Sequence, residues 1–101
     1  MAVVLVADDD FGALEALASA LVAAGHRVLR AGDGADALRI LSRERVELVI
    51  CDELMPGMSG PALIAAIRAD ARLAHLPAIL RTVPTTIEAL VAEVARLVPK
   101  G

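Results

Sequence analysis

Residues 47–60 read Glu47-Leu48-Val49-Ile50-Cys51-Asp52-Glu53-Leu54-Met55-Pro56-Gly57-Met58-Ser59-Gly60. The uniformly apolar run from Leu48 to Cys51 is the pattern of a central strand covered on both faces, so a strand is expected over about 47–51. It stops at Asp52, and Pro56, Gly57 and Gly60 constrain the loop that follows. A run of the same design opens the chain: Val3-Val4-Leu5-Val6-Ala7, ending in Asp8-Asp9-Asp10. Laid parallel in one sheet, the two runs bring three or four carboxylates into one crevice at their carboxyl ends, where open parallel sheets bind ligands. Clustered carboxylates repel one another, and a donor set made only of oxygen suits Mg²⁺.

Working outward, short apolar runs alternate with helical stretches, which predicts an α/β chain with a helix-covered parallel sheet. The first strand is expected at about 3–7 and the second at about 27–31. Asp10 caps a helix over about 11–24, with an apolar face of Phe11, Leu14, Leu17, Ala18, Leu21 and Val22, and Gly25 stops it. Asp33-Gly34 makes a turn into a helix reaching about residue 43, with Leu38, Ile40 and Leu41 inward. Ser59 caps a helix from Pro61 to about 71, and Pro77 opens a fourth strand at about 78–82. Thr85 and Glu88 form a capping box for a last helix over about 86–98.

The 101 residues suffice for one domain with one core. Of these, 57% are hydrophobic and only 1% aromatic, so Ala, Leu, Val and Ile must build that core. The net charge of −3 is spread along the chain, and no basic run or basic–aromatic interleaving points to nucleic acid. No apolar run approaches a membrane span, and the apolar start lacks the basic flank of a secretion leader. The single cysteine, Cys51, is expected as a buried thiol in a reducing, cytoplasmic setting.

Two kinds of chemistry suit the acidic crevice. One carboxylate can accept a phosphoryl group as a nucleophile while a bound metal offsets charge on the phosphoryl oxygens. Alternatively, the acids are ordinary turn residues and helix caps. His26 and His75 lack metal-ligand spacing, and Ser19, Ser42 and Ser59 lack a histidine–acid partnership. Glu53 is a candidate for the pocket rim, and Met55 and Met58 are expected to pack.

Residues 2–82 resemble a receiver domain of the two-component response-regulator family. Val3 to Asp10 resembles its first strand and acidic pair, and Arg30 to Leu38 its stretch into the second helix. Glu47 to Gly60 resembles the phosphoacceptor strand and its Asp-x-x-Met-Pro-x-x-x-Gly loop, and Pro77 to Thr82 the strand ending in a hydroxyl residue. The resemblance implies a three-layer, flavodoxin- or CheY-like fold. Loss of elements discussed below leaves four strands in the order 2-1-3-4 with about four helices. It implies Asp52 as phosphoacceptor, Asp9 as direct Mg²⁺ ligand with Asp8 assisting, the Leu54 carbonyl as a further ligand, and Thr82 as donor to the phosphoryl group. A histidine kinase or phosphotransfer protein is the implied phosphodonor.

The chain departs from that family after Thr82. The family continues with a further helix, a fifth strand and a Lys-Pro pair before its last helix, about 20 residues that are missing here. Val83-Pro84 stands where Lys-Pro is expected, and the only lysine is Lys100. The family's aromatic switch residue has no counterpart. Arg81 is a weak substitute for the lysine, because alternation along a strand sends it to the face opposite Thr82. The loss is expected to leave the fourth strand as an open edge and to uncover Leu63, Ile64 and Ile67, favouring a homodimer through that edge or through exchange of the last helix. Two further readings compete with a working receiver. One is a pseudo-receiver serving as a phosphorylation-independent dimerisation or docking module. The other is a Mg²⁺-dependent phosphatase, disfavoured because Leu54 occupies the place of that class's second aspartate.

Overall fold

In the computed structural model, residues 1–82 and 85–98 are described; Val83-Pro84 and Lys100, compared above with the family's lysine, lie outside them. The strands are β1 (Val3–Ala7), β2 (Arg27–Ala31), β3 (Leu48–Asp52) and β4 (Ala78–Arg81). They alternate with helices α1 (Phe11–Ala23), α2 (Gly34–Leu41), α3 (Gly60–Ala69) and α4 (Ile87–Leu97). The sheet is parallel, in the order β2-β1-β3-β4.

Period-two alternation divides the core between the two faces of the sheet. Val4, Val6, Leu48, Ile50 and Ile79 meet α1 and α4 through Leu14, Leu17, Leu21, Leu90 and Val94. Leu5, Ala7, Val49, Cys51 and Leu80 meet α2 and α3 through Ala37, Leu41, Leu63 and Ile67. This is the expected three-layer architecture. Aliphatic side chains fill both layers, joined on the α2–α3 face by Cys51 and Met55, in keeping with the near absence of aromatics.

The helix starts follow side-chain caps. Asp10, Asp33 and Ser59 accept from the backbone N–H groups of Ala13, Asp36 and Ala62. Helix α1 ends as expected at a left-handed Gly25, with φ of 96°. At α4 the cap is Thr86, bonded to the Ala89 N–H at 3.1 Å, not Thr85. The helix therefore starts one residue later than a Thr85 cap would place it. Glu88 sits in the first turn, where it favours the positive end of the helix dipole, and no capping box forms.

Two expectations about burial are corrected. Phe11 is 74% exposed and Val22 51% exposed. At about 100° per residue they lie roughly 70–90° from the centre of the buried stripe set by Leu14, Leu17, Ala18 and Leu21. Leu63 and Ile67 are fully buried, and Ile64 is half-buried, so the short fourth strand does not uncover that helix. Helix α3 is covered by the sheet, including Leu80 of β4, and by α2.

Candidate functional site

Register explains how the acids converge. Val6 pairs with Ile50, Ala7 with Cys51, and Asp52 with Arg81. Counting by twos, Val4, Val6 and Asp8 share a face with Leu48, Ile50 and Asp52 and with Ile79 and Arg81. Asp8 continues the ladder one step past β1, its N–H donating to the Ala31 carbonyl at 3.0 Å. Its Oδ1 accepts from the Asp10 N–H at 2.9 Å, which fixes the carboxylate at the turn into α1.

Asp8, Asp9 and Asp52 each offer an oxygen atom, and these atoms lie within 4.8 Å of one another. Asp8 is buried, Asp52 half-buried and Asp9 exposed. Burial pushes the Asp8 carboxyl above its ordinary range; Asp52 and Asp9 add repulsion, against the Asp10 N–H and Arg81, which pull it down. A crevice of about 290 Å³ opens beside this cluster, lined by Asp8, Asp10, Ala13, Asp52, Arg81, Thr82 and Thr85. Asp9 faces a separate shallow depression with Leu54, Met55, Pro56 and Ser59.

The tight loop after Asp52 is held against the strand by Gly60. Its N–H donates to the Glu53 carbonyl at 3.0 Å, and a Cβ there would lie 2.2 Å from the Asp52 carbonyl oxygen. Only glycine allows this approach. Cys51 is buried as expected, its Sγ 3.8 Å from the Gly60 carbonyl and its thiol pushed up to about 11 by burial and by Asp52.

Asp8, Asp9 and Asp52 are thus brought together, with Thr82 exposed at the edge of the same crevice. Glu53 is exposed and does not line it. Arg81 is the correction. Alternation does separate it from Thr82, but Arg81 is the residue on the face of Asp52. Its Nη1 lies 3.7 Å from Asp8 Oδ2 and 3.4 Å from the Ala13 carbonyl, with the side chain 18% exposed. Alternation along β4 only separates the two residues; the β3–β4 register decides that Arg81, and not Thr82, shares the face of Asp52.

The family model described as the response regulator receiver domain matches residues 4–101. The response regulator protein FleR of Pseudomonas aeruginosa is 42% identical over 79 residues, which are 78% of this chain and 16% of FleR. The chain therefore spans only a small part of that relative. Protein PilH of the same organism is 32% identical over 82 residues, 81% of this chain and 68% of PilH. The solved signal receiver domain of a histidine kinase from Syntrophus aciditrophicus superimposes with a TM-score of 0.91 at 27% identity, covering 96% of this chain and 89% of that one. A family match from Val4 onward, on a sheet ordered as the resemblance required, means that the chain belongs to the response regulator receiver domains of two-component systems.

Proposed function

We propose that residues 1–101 form a single, shortened receiver domain that accepts a phosphoryl group on Asp52 with Mg²⁺ and passes the signal on by protein contact. The observation that carries this reading is the convergence of Asp8, Asp9 and Asp52 oxygens within 4.8 Å at the ends of β1 and β3. Receiver domains are signalling modules rather than dedicated enzymes, and their phosphodonors are histidine kinases or phosphotransfer proteins.

The donor set fits a divalent cation. Three carboxylates face one guanidinium among the described residues, and burial, with added repulsion from Asp52 and Asp9, already raises the Asp8 carboxyl. Asp9, Asp8, Asp52 and the Leu54 carbonyl would hold Mg²⁺, an oxygen-rich set of the kind that ion prefers. When bound, the ion supplies positive charge against the phosphoryl oxygens. An Asp52 carboxylate oxygen attacks phosphorus, forming an O–P bond as the P–N bond of the donor phosphohistidine breaks. The electron pair leaves on the imidazole nitrogen. The Thr82 hydroxyl donates to a phosphoryl oxygen. The buried walls on both sides of β3 hold Asp52 in place for the attack.

No helix among the described residues is long and apolar enough to cross a membrane, and a cytoplasmic location suits a kinase-fed signalling domain. Incubation with Mg²⁺ and acetyl phosphate or phosphoramidate, followed by intact-mass measurement, tests the reading. A phosphoryl adduct that vanishes in Asp52→Asn supports it. Absence of an adduct with every donor leaves a phosphorylation-independent dimerisation or docking module.

A homodimer completes the proposal. Among the described residues β4 pairs with β3 on one side only, and it is half-buried along its length. An unpaired strand edge invites another copy. Helix α4 already packs on α1 of its own chain, which favours the β4 edge over helix exchange as the joining surface. Sedimentation equilibrium at micromolar concentration should give a dimer; a monomer throughout would exclude it.

A further inference from the structure

We propose that Arg81 is a transferable counter-charge: it holds Asp8 while the metal is absent and turns to the phosphoryl oxygens on Asp52 once Mg²⁺ occupies Asp8. This rests on the functional reading above and assigns a residue which that reading leaves without a role. Three observations support it. Asp52 and Arg81 are register partners, so their side chains leave the sheet on the same face. The Arg81 side chain is 18% exposed and lines the crevice together with Asp8, Asp52 and Thr82. Its contacts are long: 3.7 Å to Asp8 and 3.4 Å to the Ala13 carbonyl.

A guanidinium carries five N–H donors in a planar fork that matches two oxygens of a phosphoryl group. Those two long contacts leave most of that capacity for a ligand. Among the described residues β4 is the edge of the sheet, with no further strand holding Arg81 from the outer side. The charges also balance better with it. Asp8, Asp9 and Asp52 carry three negative charges, against which Mg²⁺ and Arg81 together supply three positive ones. Phosphorylation of Asp52 adds negative charge in the crevice that Arg81 also lines.

The two roles predict effects of opposite sign. A unit positive charge beside a ligand carboxylate opposes a second cation there. Arg81→Gln should therefore bind Mg²⁺ about threefold more tightly, measured by titration followed in ¹H–¹⁵N NMR spectra. The same variant should be phosphorylated by acetyl phosphate about tenfold more slowly, because a charge-assisted contact to the phosphoryl group is gone. Arg81→Lys should return Mg²⁺ affinity toward that of the unmodified chain and recover part of the rate. In the unmodified chain, the Arg81 Nε–H resonance should shift on adding Mg²⁺ and shift again with beryllofluoride, a phosphoryl mimic.

A purely structural role would weaken Mg²⁺ binding and phosphorylation together. That result, unchanged behaviour in Arg81→Gln, or an Nε–H signal indifferent to both additions would overturn the proposal for Arg81 alone. The NMR arm needs no substitution, so a misfolded variant does not remove the test. An unmodified chain that takes up neither Mg²⁺ nor phosphoryl overturns the functional reading itself, and this one with it.

Discussion

Asp8, Asp9 and Asp52 stand at the ends of β1 and β3, which have neighbours on both sides and are buried over nearly their whole length. Arg81 and Thr82 stand at the end of β4, which has one neighbour among the described residues and is half-buried throughout. The difference separates two kinds of positioning. Interior strands fix a carboxylate through two ladders and two packed faces, so the acids are preorganised. The edge strand holds its side chains through one ladder, which leaves the cationic side of the crevice freer to move. A pocket with rigid acids and an adaptable cation is what the role proposed for Arg81 requires.

The comparison breaks most completely at Asp52. Asp52→Asn should lose the phosphoryl adduct entirely by intact mass while keeping the fold, since Asn is close in size and Asp52 is only half-buried.

A next test uses two register partners of the same residue type on the same face. Ile50 of β3 is fully buried, whereas its partner Ile79 of β4 is half-buried. Ile50→Ala should cost about 3–5 kcal/mol in urea unfolding, at the upper end for a buried isoleucine. Ile79→Ala should cost about 1–2 kcal/mol, because less area leaves water there. Equal losses would mean that β4 is as firmly held as β3, or that a partner covers its edge.

Gly60→Ala sharpens the acidic side. The new Cβ would meet the Asp52 carbonyl oxygen at 2.2 Å and Leu80 Cδ1 at 2.6 Å. Backbone must shift, so a loss of about 2–3 kcal/mol is expected, and the adduct yield on Asp52 should fall with it.

The smallest effect concerns Asp8. Its carboxyl titrates above the ordinary value of 3.8 in the folded chain, chiefly through burial. Between that value and the raised one, the folded state holds more protons than the unfolded state. Stability from this group is therefore present at low pH and lost as pH rises through the window. Without metal, Asp8→Asn should raise the melting temperature at about pH 7, and the gain should shrink by about pH 3.5. The same variant should weaken Mg²⁺ binding, measured by NMR titration. A gain that grows on acidification would contradict the assigned cause.

Much of this was legible in the chain itself. Unbroken apolar runs marked β1 and β3, and Asp10 and Ser59 marked helix starts, because strand burial and capping depend on neighbours in sequence. At α4 the sequence pointed to Thr85 as the cap through its spacing to Glu88, whereas the helix is capped by the adjacent Thr86. Phe11 was counted into the apolar face of α1 yet lies exposed, because it stands about 70° from the centre of the stripe that Leu14, Leu17, Ala18 and Leu21 bury.

By itself the sequence determined four strands alternating with helices and acids at the strand ends, because apolar period, caps and turn residues act over a few positions; the receiver reading came from the resemblance of its motifs to that family. The tertiary structure decided what depends on contacts between distant elements. It kept Leu63 and Ile67 covered despite the shortened sheet, through Leu80 and α2. It set the β3–β4 register, and that register brought Arg81 to the face of Asp52 and within 3.7 Å of Asp8. A single step in strand pairing turns every side chain to the opposite face, so alternation alone could not choose between Arg81 and Thr82.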